Sequence, residues 1–459
     1  MSKRIAIIGG GISGLSIAYW LYKANADVYV LEKGSEAGGS MESQADAGFL
    51  FDRGPNSGLE TTPLLQEMVA GLELQDEFIY ASTTGNKRYI LRDGILHPLP
   101  MSPPLFLKSK LFSTGAKLRL MAEPFVGRSK DGYYQSVAQF VERRLGREFL
   151  DYAINPFVSG VYAGRPEDLS VKSSFPKLYE LEEEYGGLIL GTIRSIRKRK
   201  KRAEKSKQSA KMFSFRSGMQ TLPRAIAAKL KDRFIPLADV QEISKENNKY
   251  ILSYNNAGAV KQFEADMIIN TAPAFIASPL FRKFDATLSN HLDAVYYPPV
   301  LVVYTAFEKA AIKQPLDGFG FLIPEKEKRN FLGAIWSSVL FPGRSADGSA
   351  SFTLFVGGAR NSQIANEDRE KVINTALREF REIMGIDELT DPVYLSHRFW
   401  SKAIPQYTIG YIEHERYFDE FEKRFPDIIL AGNYRGGISV GDCIKNSKLT
   451  ADKALSRLS

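Results

Sequence analysis

The chain has 459 residues, 44% of them apolar, which is more than one hydrophobic core usually holds and predicts two or three domains. Cys443 is the only cysteine, so an internal disulfide is excluded, a cysteine-based metal site is disfavoured, and a reducing, cytoplasmic setting fits. Net charge is +8, but residues 194–211 alone carry +9 and leave the remainder near balance; no aromatic residue interleaves that block, which argues against nucleic acid.

Taken in order, apolar residues 5–8 run into Gly9-Gly10-Gly11-Ile12-Ser13-Gly14, and a periodic apolar segment (Leu15, Ala18, Tyr19, Leu21, Tyr22) follows. This predicts a buried strand, a tight turn and the start of a helix. Gly9 would permit the turn, Gly11 would let backbone approach a pyrophosphate, and Gly14 would let the helix lie on the strand, with phosphates at the helix N-terminus. A second strand, 27–31, ends at Glu32, whose carboxylate suits both ribose hydroxyls and disfavours a 2′-phosphate. A lone G-x-G-x-x-G is a weak signal, but here it carries its whole context and points to an adenine dinucleotide. The start on a core strand, and the lack of any apolar run of about 18 residues, predict neither a cleaved signal peptide nor a transmembrane helix. The four histidines, at 97, 291, 397 and 414, are not in metal-ligand spacing, and no metal is expected.

Beyond Glu32 come Lys33, then Gly38-Gly39-Ser40, then the loop Gly54-Pro55-Asn56-Ser57. A second glycine pair after the ribose acid, followed by this loop, resembles the flavoproteins of the amine oxidase type with two dinucleotide-binding domains. That resemblance implies FAD, with these residues among its contacts. Arginine usually flanks the glycine pair in that superfamily; here Ala37 and Ser40 stand there, so the side chain that neutralises the pyrophosphate is not specified.

A helix is predicted from residue 62, a hairpin from 87 to 96 around Asp93-Gly94, and a proline-rich hinge at 97–104. Residues 105–190 read as helical, with apolar positions beside Lys108, Lys110, Lys117, Arg119 and Arg128. Two readings stay open there: an amphipathic lobe with a buried face, and a monotopic membrane surface. The basic block reads as a solvated segment, an attraction to anionic lipid, or a protein-partner site. Within the lobe, Asn155-Pro156-Phe157-Val158-Ser159-Gly160 and the following residues to Ser170, with Phe175-Pro176 and Gly186-Gly187, join the Gly-Pro-Asn-Ser loop in resembling the protoporphyrinogen oxidase family, including its bacterial coproporphyrinogen-oxidising relatives. The similarity covers nearly the whole chain.

Gly218-Met219-Gln220 leads into a helix to residue 230, and Val240 sits between short strands, either as an adenine contact by resemblance or as a plain core valine. Residues 267–273 return the chain to the cofactor domain. Segments 300–305, 319–323, 333–337 and 352–356 read as strands of a second, mixed sheet, with a helix over 368–384. By resemblance, 318–322 and 334–338 line a macrocycle pocket, with Phe321, Leu322 and Trp336 nominated individually. Trp400 is expected near the isoalloxazine. A strand at 428–430, Gly432, and Ile438-Ser439-Val440 at the start of the last helix close the cofactor site from the other end of the chain. Cys443 beside it reads as inert.

The fold class is thus α/β, a Rossmann-like FAD domain (1–78, 217–272 and 425–459), a mixed-sheet substrate domain (79–97 and 273–424) and a helical lobe (98–216). The resemblance implies a porphyrinogen losing six electrons in three two-electron steps, each passed to FAD and then to molecular oxygen, giving hydrogen peroxide. Carried over by motif, Arg88 would bind a propionate, Asn56 would polarise a pyrrole near the flavin, and Gly160 would offer backbone close to the macrocycle. Their ordinary readings are a surface ion pair, a turn-forming asparagine and a helix-breaking glycine. Protoporphyrinogen leads, with coproporphyrinogen III close behind. An amine oxidase, a carotenoid desaturase or a non-enzymatic flavin-binding scaffold are the more distant readings. An anionic membrane surface remains a candidate partner, and the oligomeric state is open, a homodimer included.

Overall fold

The computed structural model describes residues 3–199 and 210–458; the basic segment's stretch 200–209, and the side chains of 195–199, lie outside the described residues. Strand Arg4–Ile8 is the centre of a five-stranded parallel sheet, ordered Phe234–Ile235, Asp27–Leu31, Arg4–Ile8, Met267–Asn270, Ile428–Leu430. A parallel sheet is covered on both faces, so its strands are apolar throughout. Ile5, Ile7, Val28, Val30 and Ile269 share one core with helices Ile12–Lys23, Thr221–Leu230 and Val440–Leu458. On that side Trp20 Nε1 donates to the buried Ser447 Oγ at 3.1 Å, tying the first long helix to the last.

Ala6, Ile8, Leu31, Ile268 and Leu430 face a second core, beneath a three-stranded antiparallel sheet made of Asp239–Glu246, Lys249–Asn256 and Ala259–Ala265. Helices Ala274–Phe281, Ala286–Asp293 and Ile412–Arg424 belong to this core as well, through Leu280, Phe281, Leu288, Phe418 and Phe421. The division drawn from sequence at 273 and 424 assigned these helices to the substrate domain. The structure packs them on the parallel sheet instead, because their apolar faces cover it.

Seven strands form the mixed sheet, in the order Tyr394–Trp400, Val300–Glu308, Ser349–Gly357, Gly333–Ile335, Gly320–Leu322, Tyr89–Arg92, Ile95–Pro98. Only the pairing of Gly320–Leu322 with Tyr89–Arg92 is parallel. Along Val300–Glu308 the side chains alternate: Leu301, Val303 and Phe307 enter a core with helix Arg369–Met384, while Val300, Val302 and Tyr304 face the other way. The helix starts where Asp368 caps it, accepting the Lys371 N–H at 2.8 Å. The hairpin turns at Asp93 and Gly94, which both take positive φ (53° and 75°) as a two-residue turn of the right twist requires.

Helices between 103 and 199 form the lobe, around Val137, Phe140, Val141, Val158 and Tyr162. Its centre holds charge. Fully buried Arg144 meets Glu123 at 2.8 Å and Glu182 at 3.0 Å, and donates to the Gly186 carbonyl at 2.8 Å. Burying a guanidinium is costly unless it is paired, and this one is held by two carboxylates. At the lobe's outer end the helices Pro103–Lys108 and Thr114–Met121 bury no residue. Met101, Leu105, Leu107, Leu118, Met121 and Phe125 are exposed there, Phe125 by 92%. Beside them Leu111 and Phe112 are buried, and Phe106, Ala116 and Leu120 pack in part against the core, so this end combines a partly buried face with an exposed apolar one. Among the described residues, no helix is long and apolar enough to cross a membrane.

Removing Arg144 would strand two buried carboxylates. Arg144→Ala is expected to destabilise the lobe by about 3–5 kcal/mol, seen as protease cleavage within 103–199 at a lower temperature than in the unchanged protein, with bound flavin retained.

Candidate active site

Strands Arg4–Ile8, Met267–Asn270 and Ile428–Leu430 end side by side, and the loops that follow them meet at one edge, where ligands of open α/β sheets bind. Gly9 turns the chain with φ +104°, and Thr271 Oγ1 donates to the carbonyls of Ile8 at 2.9 Å and Gly9 at 3.0 Å. A Cβ on Gly14 would stand 2.1 Å from the Gly9 carbonyl oxygen and 3.2 Å from Ile7 Cγ2, so only glycine lets the helix lie this close. At Gly11 the opposite holds: a Cβ would meet only the Gly38 carbonyl oxygen, at 3.9 Å, leaving open space over the start of the helix. Ile12 and Ser13 open that helix with no side chain capping it, so first-turn N–H groups remain for an anion.

The second glycine loop lies directly on the first. Gly38 N donates to the Gly10 carbonyl at 2.9 Å, and a Cβ on Gly39 would be 3.2 Å from Gly11 Cα. Gly54 in turn sits so tightly on Ser40 that a Cβ would be 1.8 Å from the Ser40 carbonyl oxygen, and the Pro55-Asn56-Ser57 turn follows from there. Glu32 is aimed by the N–H groups of Gly10 and Gly34, the latter at 2.7 Å, and its own carbonyl accepts the Ala238 N–H at 2.7 Å. Those bonds leave lone pairs on the carboxylate for ribose hydroxyls. Lys33 pairs with Asp239 at 3.2 Å, and the adjoining Val240 is buried at a register shift of its strand. From the far end of the chain, Gly432 approaches the Thr271 carbonyl, where a Cβ would be 3.3 Å away. The turn 438–440 is fixed by Ser439 Oγ, which donates to Asp442 Oδ2 at 2.6 Å and accepts the Asp442 N–H at 3.1 Å.

Facing this edge are the inner residues of the mixed sheet. Asn56 Nδ2 donates to the Gly54 carbonyl at 3.2 Å, and its Oδ1 accepts from Thr353 Oγ1 at 3.1 Å. Trp400 Nε1 donates to the Arg53 carbonyl at 2.7 Å, which sets its ring beside the same loop. Asp52 and Arg344, each 3% exposed, pair at 3.3 Å beneath it. Burial pushes the Asp52 carboxyl up, opposed by Arg344, the Ser43 hydroxyl and the Met219 N–H, while burial lowers Arg344. Two cavities open at this face, each about 10 Å³, one bounded by Asn56, Ser337 and Arg344 and the other by Tyr304, Thr305 and Thr353. Each has the room of about one water, so neither is the wide apolar cavity expected for a macrocycle.

Arg88 is an exposed residue whose guanidinium carbon lies 5.6 Å from the Phe319 ring centroid. Solvent reaches the side chain, yet surrounding protein desolvates its charged end and lowers its pKa, and among the described residues no carboxylate pairs with it. The surface ion pair is thus not what the structure shows. Gly160 and Leu322 are brought together: a Cβ on Gly160 would be 2.5 Å from Leu322 Cδ2, so the glycine admits the leucine side chain. Phe321 and Trp336 do not line the cleft. They are 2% and 0% exposed on the other face of the sheet, Phe321 stacked on Phe380 at 6.4 Å and Trp336 5.7 Å from the Tyr89 ring. The half-buried aromatic of that stretch is Phe319, beneath Arg88.

Three comparisons with known proteins bear on this arrangement. The family model described as flavin containing amine oxidoreductase matches residues 12–455. The mitochondrial protoporphyrinogen oxidase of Nicotiana tabacum is 34% identical over 484 residues, covering 100% of this chain and 95% of that protein. The chain belongs to the protoporphyrinogen oxidase branch of the flavin-containing amine oxidoreductases. The family's coproporphyrinogen III oxidase from Bacillus subtilis (strain 168) is 26% identical, covering 99% of this chain and 98% of the relative. Among solved structures, a candidate protoporphyrinogen oxidase from Exiguobacterium sp. 255-15 superposes with a TM-score of 0.80 at 23% identity, over 99% of both chains, and shares the fold. As a member of this family the protein is an oxidoreductase and its cofactor is FAD. The glycine cradle fits that group, since it leaves room over Gly11 at the start of the helix.

Sequence reasoning missed several residues that hold the site. Gln220, 4% exposed, donates to the Ala37 carbonyl at 2.9 Å and accepts the Ser43 N–H at 3.0 Å, bridging the second glycine loop. Tyr407 accepts the Gly437 N–H at 2.9 Å and donates to the Asn433 carbonyl at 2.7 Å. Both stand in polar punctuation (Gly-Met-Gln, Pro-Gln-Tyr) that could have marked them, but their partners are remote in sequence. Gly14→Ala is expected to push the first helix off its strand and abolish flavin retention; the visible flavin absorbance of the purified variant, with and without added FAD, checks this.

Proposed function

We propose that the protein oxidises protoporphyrinogen IX to protoporphyrin IX, with molecular oxygen as acceptor and one hydrogen peroxide formed per two-electron step. The observation that carries this reading is Arg88, an accessible yet partly desolvated guanidinium lying over the Phe319 ring. A tetrapyrrole macrocycle bearing carboxylates matches both features, because a guanidinium fork binds carboxylate bidentately and an aromatic ring supports an apolar pyrrole.

Bound FAD supplies the two-electron acceptor of each step and passes the electrons to oxygen. In this reading Glu32 holds the ribose, the 9–14 turn with Ile12 and Ser13 holds the pyrophosphate, and Lys33, the 38–40 loop and the 54–57 loop close over the cofactor. Val240 contacts the adenine through its backbone, while Gly432, Ile438, Ser439, Val440 and Trp400 frame the flavin ring. Arg88 fixes a propionate, Gly160 and Leu322 border the macrocycle, and Asn56 meets a pyrrole. Asn56 has one N–H and one lone pair left after its two protein bonds, so it can hold a pyrrole nitrogen as donor or acceptor while protons leave. Enzymes named protoporphyrinogen oxidase at 34% identity and full coverage support the substrate class. Relatives named coproporphyrinogen III oxidase support the runner-up, which carries more carboxylates.

The exposed apolar end of the lobe, with Lys108 and Lys110 beside Leu105, Leu107 and Phe125, docks on an anionic bilayer without crossing it. Purified protein given each porphyrinogen in air should develop porphyrin fluorescence with protoporphyrinogen faster than with coproporphyrinogen; the reverse order selects the runner-up, and silence with both overturns the reading. Arg88→Ala should raise KM about tenfold to a hundredfold, with Arg88→Lys between; an unchanged KM removes the propionate assignment. Sedimentation with anionic vesicles should carry the protein down, and Phe125→Glu should leave more of it in the supernatant.

A further inference from the structure

Asn56 reaches into the site from a loop, and what orients its carboxamide is a strand residue on the opposite domain. The Gly54 carbonyl can only accept, so the amide end facing it at 3.2 Å is the NH2. Oδ1 then faces Thr353 Oγ1 at 3.1 Å, and the threonine hydroxyl must donate to it. A hydroxyl has one hydrogen, so the contact between Thr353 Oγ1 and Ser337 Oγ at 3.0 Å takes its hydrogen from the serine. The direction of the whole line follows from one backbone carbonyl: Ser337 donates to Thr353, which donates to Asn56.

The line has an anchor. Ser337 and Asn56 share their cavity of about 10 Å³ with Arg344, whose Nη1 is buried and has no hydrogen-bond partner among the described residues. Arg344 is itself immobilised by Asp52 and by Ser214 Oγ at 2.7 Å. Hydroxyls lined up this way polarise one another.

We propose that Thr353 is a positioning residue for the reaction: backed by Ser337, its hydroxyl locks the Asn56 carboxamide in one orientation, leaving one Nδ2–H and one Oδ1 lone pair for the substrate. Thr353 is 1% exposed in the strand Ser349–Gly357, on the face opposite the apolar Phe352 and Leu354. The proposal rests on the reading that Asn56 faces the porphyrinogen.

A double-mutant cycle separates the two. Thr353→Val, isosteric and without the hydroxyl, should lower kcat about tenfold, with KM and bound FAD unchanged, and should slow anaerobic flavin bleaching by protoporphyrinogen by the same factor. Thr353→Ser should restore most of the rate. In an Asn56→Ala background, itself slow, Thr353→Val should add less than about twofold, because the group it orients is gone. If Asn56→Ala is slow but Thr353→Val is as fast as the unchanged protein, or if the two losses multiply, Thr353 does not act through Asn56 and the proposal falls. If Asn56→Ala is itself as fast as the unchanged protein, the placement of Asn56 at the reacting ring falls and takes the proposal with it. Loss of FAD from Thr353→Val would show a structural role and also overturn it.

Discussion

The Gly9 carbonyl oxygen occupies the place where any side chain on Gly14 would begin, and the same close approach of backbone to backbone recurs between Gly39 and Gly11 and between Gly54 and Ser40. Three loops from different parts of the first sixty residues are thereby stacked without side chains between them. Over Gly11 a side chain would meet only the Gly38 carbonyl oxygen, at 3.9 Å, which leaves room there for a ligand. The helix Ile12–Lys23 starts beneath that space with uncapped N–H groups, so its positive end is aimed at whatever enters. The rest of the molecule serves this edge: Thr271 staples the first strand to its neighbour, and Gly432 arrives beside Thr271 from the end of the chain.

How much of this was legible in sequence depended on how local the deciding interactions are. The dinucleotide cradle was readable from residues 5–32 because strand, turn, helix and acid are contiguous, although the neighbours that crowd Gly9, Thr271 and Ala272, lie far along the chain. The hairpin at Asp93-Gly94 and the cap at Asp368 were readable for the same reason. The face of a strand was not. Phe321 and Trp336 look like pocket residues until the helix Arg369–Met384 is laid under the sheet, when Phe380 takes up the space beside Phe321 and the inward face becomes core. The helices at 274–293 and 412–424 were misplaced similarly, since an amphipathic helix shows that it covers something but not which sheet it covers.

Polar residues of the site divide the same way. Asn56 was visible as part of a loop motif, but the hydroxyls of Ser337 and Thr353 that hold it lie on elements nearly three hundred residues onward and look unremarkable in a strand and a short turn. Arg88 was visible as a guanidinium between strand signals; that it lies over Phe319 rather than in an ion pair required the fold. The lobe shows the limit of periodicity from the opposite side. Its outer helices carry apolar residues at helical spacing, bury them only in part and leave Leu105, Leu107 and Leu118 exposed, whereas its centre keeps an arginine and two glutamates at 0% exposure.

The order of strands in the parallel sheet also governs when the molecule can come into being. Arg4–Ile8 lies against Met267–Asn270, which lies against Ile428–Leu430, and Trp20 is bonded to Ser447. A nascent chain leaving the ribosome therefore carries its glycine turn exposed until residues 428–447 have been made, with the apolar faces of Ile5, Ile7 and Leu15 awaiting partners that do not yet exist. Such a topology assembles late and all together, at the slow end of the range for domains of its size. Flavin capture then waits for the strand Ile428–Leu430 and the helix behind it to take their places beside the first strand.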